Sequence, residues 1–234
     1  MYDAETEASS GIIRRRPPFL QHPFWRRDVA SQTVTVGAVA GTAGEPAGRQ
    51  VRADAARNRE RLLDAAAAAF TERGAEVPLE DIARSAGLGI GTLYRHFPTR
   101  EALVEAVYRN EVSLLCTRAD ELLAEKPPDQ ALAAWMHLFV QHVATKRGML
   151  SVLKPLMASS STLSADTKGR VADTASRLLA AGVAAGTVRD DIEGADLVRA
   201  VGGICLSTEQ EPGPSSERLV RVLVDGLRSG PAIA

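Results

Sequence analysis

The chain has 234 residues, 45% of them apolar, which is enough to bury a real core without the disulfide support that small secreted domains need. Its 28 basic and 29 acidic side chains nearly cancel, so bulk charge argues neither for nor against nucleic acid, and only local distribution is informative. No run approaches the roughly 18 apolar residues of a membrane span, and the two cysteines, Cys116 and Cys205, read as reduced core thiols of a cytoplasmic protein.

Residues 1–50 mix acids, the Arg14-Arg15-Arg16 run, prolines and a Gly-, Ala- and Pro-containing tract from Gly37 to Gly48, with no sustained period. They are predicted to be a disordered extension. Arg26-Arg27 ahead of Val34 to Ala40 superficially suggests an export signal, but Ser31, Gln32, Thr33 and Thr35 break the apolar part. Asp54 or a neighbour is then predicted to cap a first long helix, with Leu62, Leu63, Ala66 and Phe70 inward and its end near Gly74.

Next come two short helices. Glu80 to Ala86 has acids in its first turn, where the helix dipole favours them, and Gly87 follows as a residue that takes a left-handed turn cheaply. Ile90 to Phe97 stops against Pro98. At about 100° per residue, Ile90, Leu93 and Phe97 share a stripe that must pack inward, whereas Gly91, Thr92 and Arg95 point away and Tyr94 and His96 flank them. Such an outward face suits a DNA major groove. Gly91 permits close backbone approach, Arg95 can read a guanine edge, and Thr92, Tyr94, His96 and Arg100 can hold phosphates. From Ile82 to Arg100 there are three arginines and no acid, a local basic surface on a balanced protein.

The run AGLGIGTLYRHFPTREAL resembles the DNA-binding signature of TetR-type transcriptional regulators, and the likeness extends from Arg57 to about Tyr108. The resemblance implies phosphate contacts from Thr92, Tyr94, His96 and Arg100 and base reading near Gly91 and Arg95. It also makes Arg49 and Arg52 candidates for an arm reaching the minor groove. Family members often begin the first of the two short helices with threonine; here Pro78 and Leu79 stand instead.

Thr99 is predicted to cap a helix running to about Leu123, with Leu103, Val107, Val112 and Leu115 inward, ended by Lys126-Pro127-Pro128-Asp129. In the family this helix links the head to the body. Further helices are expected over Asp129 to Lys146, after Gly148, from a Ser164 cap to near Gly186, over Ala195 to Leu206, and over Ser216 to Leu227. The fold class is therefore all-α, with a three-helix DNA-binding domain over 51–98 and a helical effector-binding and dimerisation domain over 99–234.

Trp135, Met136, Phe139, His142, Met149, Leu153 and Met157 gather on the middle helices and are the candidate effector pocket, with core packing the alternative for each. Few charges lie on those faces, so an effector would be small and apolar or amphipathic. The four histidines, His22, His96, His137 and His142, lack metal-ligand spacing, and no phosphate loop, nucleophile elbow or zinc pattern is present; no enzyme, cofactor or metal is expected. The expected function is a ligand-responsive repressor that binds a palindromic double-stranded DNA operator as a homodimer, without a membrane partner. The alternative is a structural or protein-gated DNA-binding protein without a small-molecule effector.

Overall fold

The computed structural model describes residues 47–208 and 214–228. These form α1 (Ala47–Arg73), α2 (Leu79–Ser85), α3 (Ile90–His96), α4 (Arg100–Glu125), α5 (Pro128–Gly148), α6 (Leu150–Ser159), α7 (Ser161–Ala184), α8 (Gly194–Ser207) and α9 (Pro214–Leu227). The all-helical class is as predicted. Among the described residues the one strand-like pairing is an isolated antiparallel bridge between Val188 and Arg228.

The helix boundaries have local causes. Gly74 and Gly87 sit at φ 81° and 66°, left-handed turns that end α1 and reverse the chain after α2. Thr99 accepts a hydrogen bond from the Ala102 amide at 3.1 Å and so caps α4 as expected. Two boundaries differ from the sequence reading. Helix α1 begins at Ala47, so Asp54 lies inside it and pairs with Arg57 one turn on, and the predicted 1–50 extension is already helical over 47–50. The rest of that extension lies outside the described residues. Ser160, rather than Ser164, caps α7 by accepting from the Leu163 amide at 3.4 Å. The Ser/Thr run reads as a turn by composition, yet one early hydroxyl suffices to start the helix there.

One continuous core runs through head and body. Phe70, Leu62, Ile82 and Leu93 fill the head, and Leu103, Trp135, Met136, Met149, Leu153 and Leu178 fill the body, all essentially without solvent exposure. Helix α4 is the spine between them, touching α1, α5, α6 and α7. A second tie joins α1 to the end of α5. Gly148 lies so close to α1 that a Cβ there would come within 2.0 Å of the Phe70 carbonyl oxygen, and the Thr71 hydroxyl donates to Thr145 Oγ1 at 3.2 Å.

Candidate nucleic-acid interface

Helices α2 and α3 have seven residues each, too short to persist alone, so packing must hold their orientation. Leu79, Ile82 and Ala83 anchor α2; Leu93 and the following Phe97 anchor α3. Ile90 is half-buried against the core, in keeping with an inward role. The corner at Gly87 is constrained by its backbone, whose φ is positive. A Cβ would also stand 2.6 Å from Nη2 of Arg61 on α1, but that is the free end of an exposed side chain and can swing aside.

The opposite side of α3 is open. Gly91 is exposed, and a Cβ there would meet nothing within 4 Å, so its small size answers no demand from this chain's own packing. Tyr94 is 47% exposed and Arg95 is exposed beside it, while Thr92 and His96 are half-buried on the flanks. Thus five of the six residues assigned to DNA lie together on one short helix. Arg95 has no ion-pair partner among the described residues.

The remaining basic groups are less free than the sequence suggests. Asp81 lies between Arg84, at 2.8 Å, and Arg73, at 3.1 Å, so an acid one residue outside the Ile82–Arg100 stretch offsets part of its charge. Arg100 turns inward and donates to the carbonyls of Ala75 and Val77. Arg59 stands over the Phe97 ring at 5.3 Å, a cation–π contact the sequence reading missed. The candidate arm residues Arg49 and Arg52 fall within α1; Arg52 is exposed on a helical turn rather than on an extended arm.

An exposed recognition face on the second helix of a compact helix-turn-helix, joined by a long helix to an all-helical body, agrees with the relatives of this chain. The model described as "Bacterial regulatory proteins, tetR family" matches residues 62–107, and that described as "Transcriptional regulator SbtR-like, C-terminal domain" matches 127–229. The structure of TetR transcriptional regulator SCO0520 from Streptomyces coelicolor is 44% identical, with 73% of this chain covering 98% of that one at a TM-score of 0.68. The chain belongs to the TetR family of transcriptional regulators. The TetR transcription regulatory protein from Mycobacterium vanbaalenii is also similar, at 38% identity over 76% of this chain and 99% of that one, with a TM-score of 0.62. The HTH-type transcriptional repressor KstR2 of Mycolicibacterium smegmatis is 37% identical over 87 residues, 36% of this chain and 42% of that protein. The chain thus spans 42% of that curated relative and 40% of the Staphylococcus aureus regulators it also matches.

In the TetR-family body, the candidate effector residues are largely core. Trp135, Met136, Met149 and Leu153 are 0% exposed, Phe139 and His142 are buried, and Met157 is half-buried. Trp135, Phe139, His142 and Tyr108 form a ring stack with successive centroid separations of 5.6, 5.9 and 5.9 Å, and Lys146 Nζ lies 5.5 Å from the Tyr108 ring. Inside that stack, His142 Nδ1 has no hydrogen-bond partner among the described residues. Burial, reinforced by the charge of Lys146, lowers the His142 pKa to about 4. Among the described residues no cluster of metal-ligating side chains occurs, and no helix is long and apolar enough to cross a membrane.

One buried acid was missed. Leu103, Val107, Glu111, Leu115 and Ala119 repeat every fourth residue along α4 and are all buried, so the charged side chain in that apolar stripe was the available signal. Burial, and then the charge of Asp64 on α1, push Glu111 up to about 7. The two buried groups act on stability with opposite signs. Glu111 binds its proton more tightly when folded, so its contribution is present below 4.5 and lost as pH rises to about 7. His142 resists protonation when folded, so its contribution is present above 6.5 and lost as pH falls to about 4. Glu111→Gln should therefore gain on the parent as pH rises from 5 to 8, by at most about 1.4 kcal/mol per pH unit, in urea denaturation at fixed ionic strength. A pH-independent difference would show that Glu111 ionises normally.

Proposed function

We propose that this TetR-family regulator is a sequence-specific DNA-binding repressor that acts as a homodimer on a palindromic or nearly palindromic operator and is released by a small apolar or amphipathic effector. The carrying observation is the face of α3, where Gly91, Tyr94 and Arg95 are exposed on a helix whose other side is anchored by buried Leu93. Arg95 reads a base edge; Thr92, Tyr94 and His96 hold phosphates. Repression is the activity in the name of the M. smegmatis relative.

Dimerisation is supported by α8 and α9. Leu206 and Val222 are 63% and 68% exposed, and a shallow apolar depression of about 430 Å³ lies between Ile192, Ile204, Leu219 and Leu223. A two-fold axis through such a face pairs like with like and sets two α3 helices about one DNA turn apart. Response to an effector is supported by the unpartnered His142 Nδ1, which a ligand hydroxyl or amide can satisfy. To shift the protein from mostly bound to mostly free, the effector must prefer the DNA-incompetent form by roughly 5 kcal/mol. Work on operator DNA implies a cytoplasmic protein. The close packing around Trp135 and Met149 favours a second reading, in which a protein rather than a small molecule controls release.

The test is selection of duplexes from a random pool at near-physiological salt. An inverted repeat is expected; failure of the folded protein to enrich any sequence would sink the proposal. With the operator in hand, Arg95→Ala should cost about 1–3 kcal/mol and relax preference at one base pair per half-site. Tyr94→Phe should weaken all sequences alike. An unchanged specificity profile in Arg95→Ala would remove it from base reading. Apolar and amphipathic compounds should raise the melting temperature under the first reading and leave it unchanged under the second.

A further inference from the structure

Arg100 is the first residue of α4, directly after the Thr99 cap. Its side chain does not join the exposed face of α3. It is half-buried, and Nη1 donates to the Ala75 carbonyl at 2.5 Å and the Val77 carbonyl at 2.7 Å. A terminal guanidinium nitrogen carries two hydrogens, so both are committed to backbone oxygens of the turn joining α1 to α2.

That turn is also held from outside by the burial of Ala75 and Val77 in the core and by Ser151 on α6, which donates to the Glu76 carboxylate at 3.3 Å, but none of these ties it to the start of α4. The turn begins at left-handed Gly74, and α2 starts after Pro78 without a side-chain cap, where a threonine or serine hydroxyl would ordinarily hold the first amides. Helix α4, by contrast, is long and runs into the body against α5, α6 and α7. The two-bond contact therefore joins the start of the α2–α3 unit to the long helix that packs into the body.

We infer that Arg100 is a positioning residue, locking the start of α4 to the α1–α2 turn so that α2 and α3 move with α4 as one piece, rather than primarily a phosphate contact. The functional part rests on the proposed reading of DNA by α3. The chemistry requires arginine. A lysine ammonium on its flexible stem keeps the charge, and would keep a phosphate contact, but it stops one bond short of Nη1 and lacks the planar head that fixes the directions of that nitrogen's two hydrogens.

The test uses the full chain and the variants Arg100→Lys and Arg100→Gln, in two arms. In the first, without DNA, amide exchange across 75–97 should accelerate about tenfold or more in both variants while α5 and α7 keep the parent rates. In the second, both variants should bind the parent's selected operator about tenfold more weakly with the slope of log affinity against log salt unchanged, and should discriminate less among inverted repeats whose spacing differs by one base pair. The inference is overturned if Arg100→Lys binds like the parent while Arg100→Gln lowers the salt slope by about one, the signature of a lost phosphate contact. It is equally overturned if exchange is unchanged, or if it accelerates uniformly along the chain, which marks general destabilisation. Should the parent bind no duplex, the DNA reading fails separately, and the exchange arm decides whether Arg100 holds the turn.

Discussion

Replacement of Trp135 by alanine is expected to lower unfolding free energy by about 3–5 kcal/mol, a large part of the roughly 5–15 kcal/mol that holds an ordinary domain together. The indole is 0% exposed, stacks parallel to Phe139 at 5.6 Å, and donates from Nε1 to the Leu115 carbonyl at 3.0 Å. Its removal empties space between α4 and α5 and takes away one of the polar ties between them. Trp135→Phe keeps most of the stacking and loses the hydrogen bond, so a smaller cost of about 1–2 kcal/mol is expected. Urea denaturation of both variants measures this directly. A loss under about 1 kcal/mol for the alanine variant would mean that the stack is not the packed centre of the body.

The second large effect is expected at Gly148. Glycine to alanine inside a helix ordinarily stabilises by about 0.5–1 kcal/mol, because the unfolded chain loses freedom. Here the added methyl would come within 2.0 Å of the Phe70 carbonyl oxygen and 3.2 Å of the Thr71 Cα, both backbone atoms that cannot swing aside. Helix α5 must then retreat from α1. Gly148→Ala should destabilise by about 1–3 kcal/mol, and amides in the second half of α1 should exchange faster. A stabilised variant would show that the two helices separate freely, and the tie through Gly148 would have no mechanical meaning.

The parts of the fold legible in the sequence were those with a strong local cause. Gly87 and Pro98 bracket α3, Thr99 caps α4, and the apolar spacing through Leu132, Trp135, Met136 and Phe139 marks the inward side of α5. The outward side of α3 was legible for the same reason: over seven residues the period leaves little freedom about which side chains face out. What stayed hidden depends on contacts distant in sequence. Arg100 reads as one more cation beside a recognition helix until the carbonyls of Ala75 and Val77, some 25 residues earlier, are seen beneath it. Glycine at 148 reads as a helix end until Phe70 is found against it. Likewise the start of α1 at Ala47 comes after a glycine- and proline-containing tract in which composition gives no onset.

The pairing of Asp81 with both Arg73 and Arg84 bears on how fast such a protein finds its target. One of the two guanidinium charges flanking Asp81 is cancelled at short range, and the whole chain is close to neutral. Beyond a Debye length of about 8 Å, a duplex would feel little pull from this head. Capture from solution would then proceed near the unsteered rate of about 10⁵–10⁶ M⁻¹s⁻¹, and residence on random sequence would be brief. The search would run mainly by repeated dissociation and re-encounter rather than by long one-dimensional slides, and Asp81→Asn should lengthen those slides at the expense of release from wrong sites.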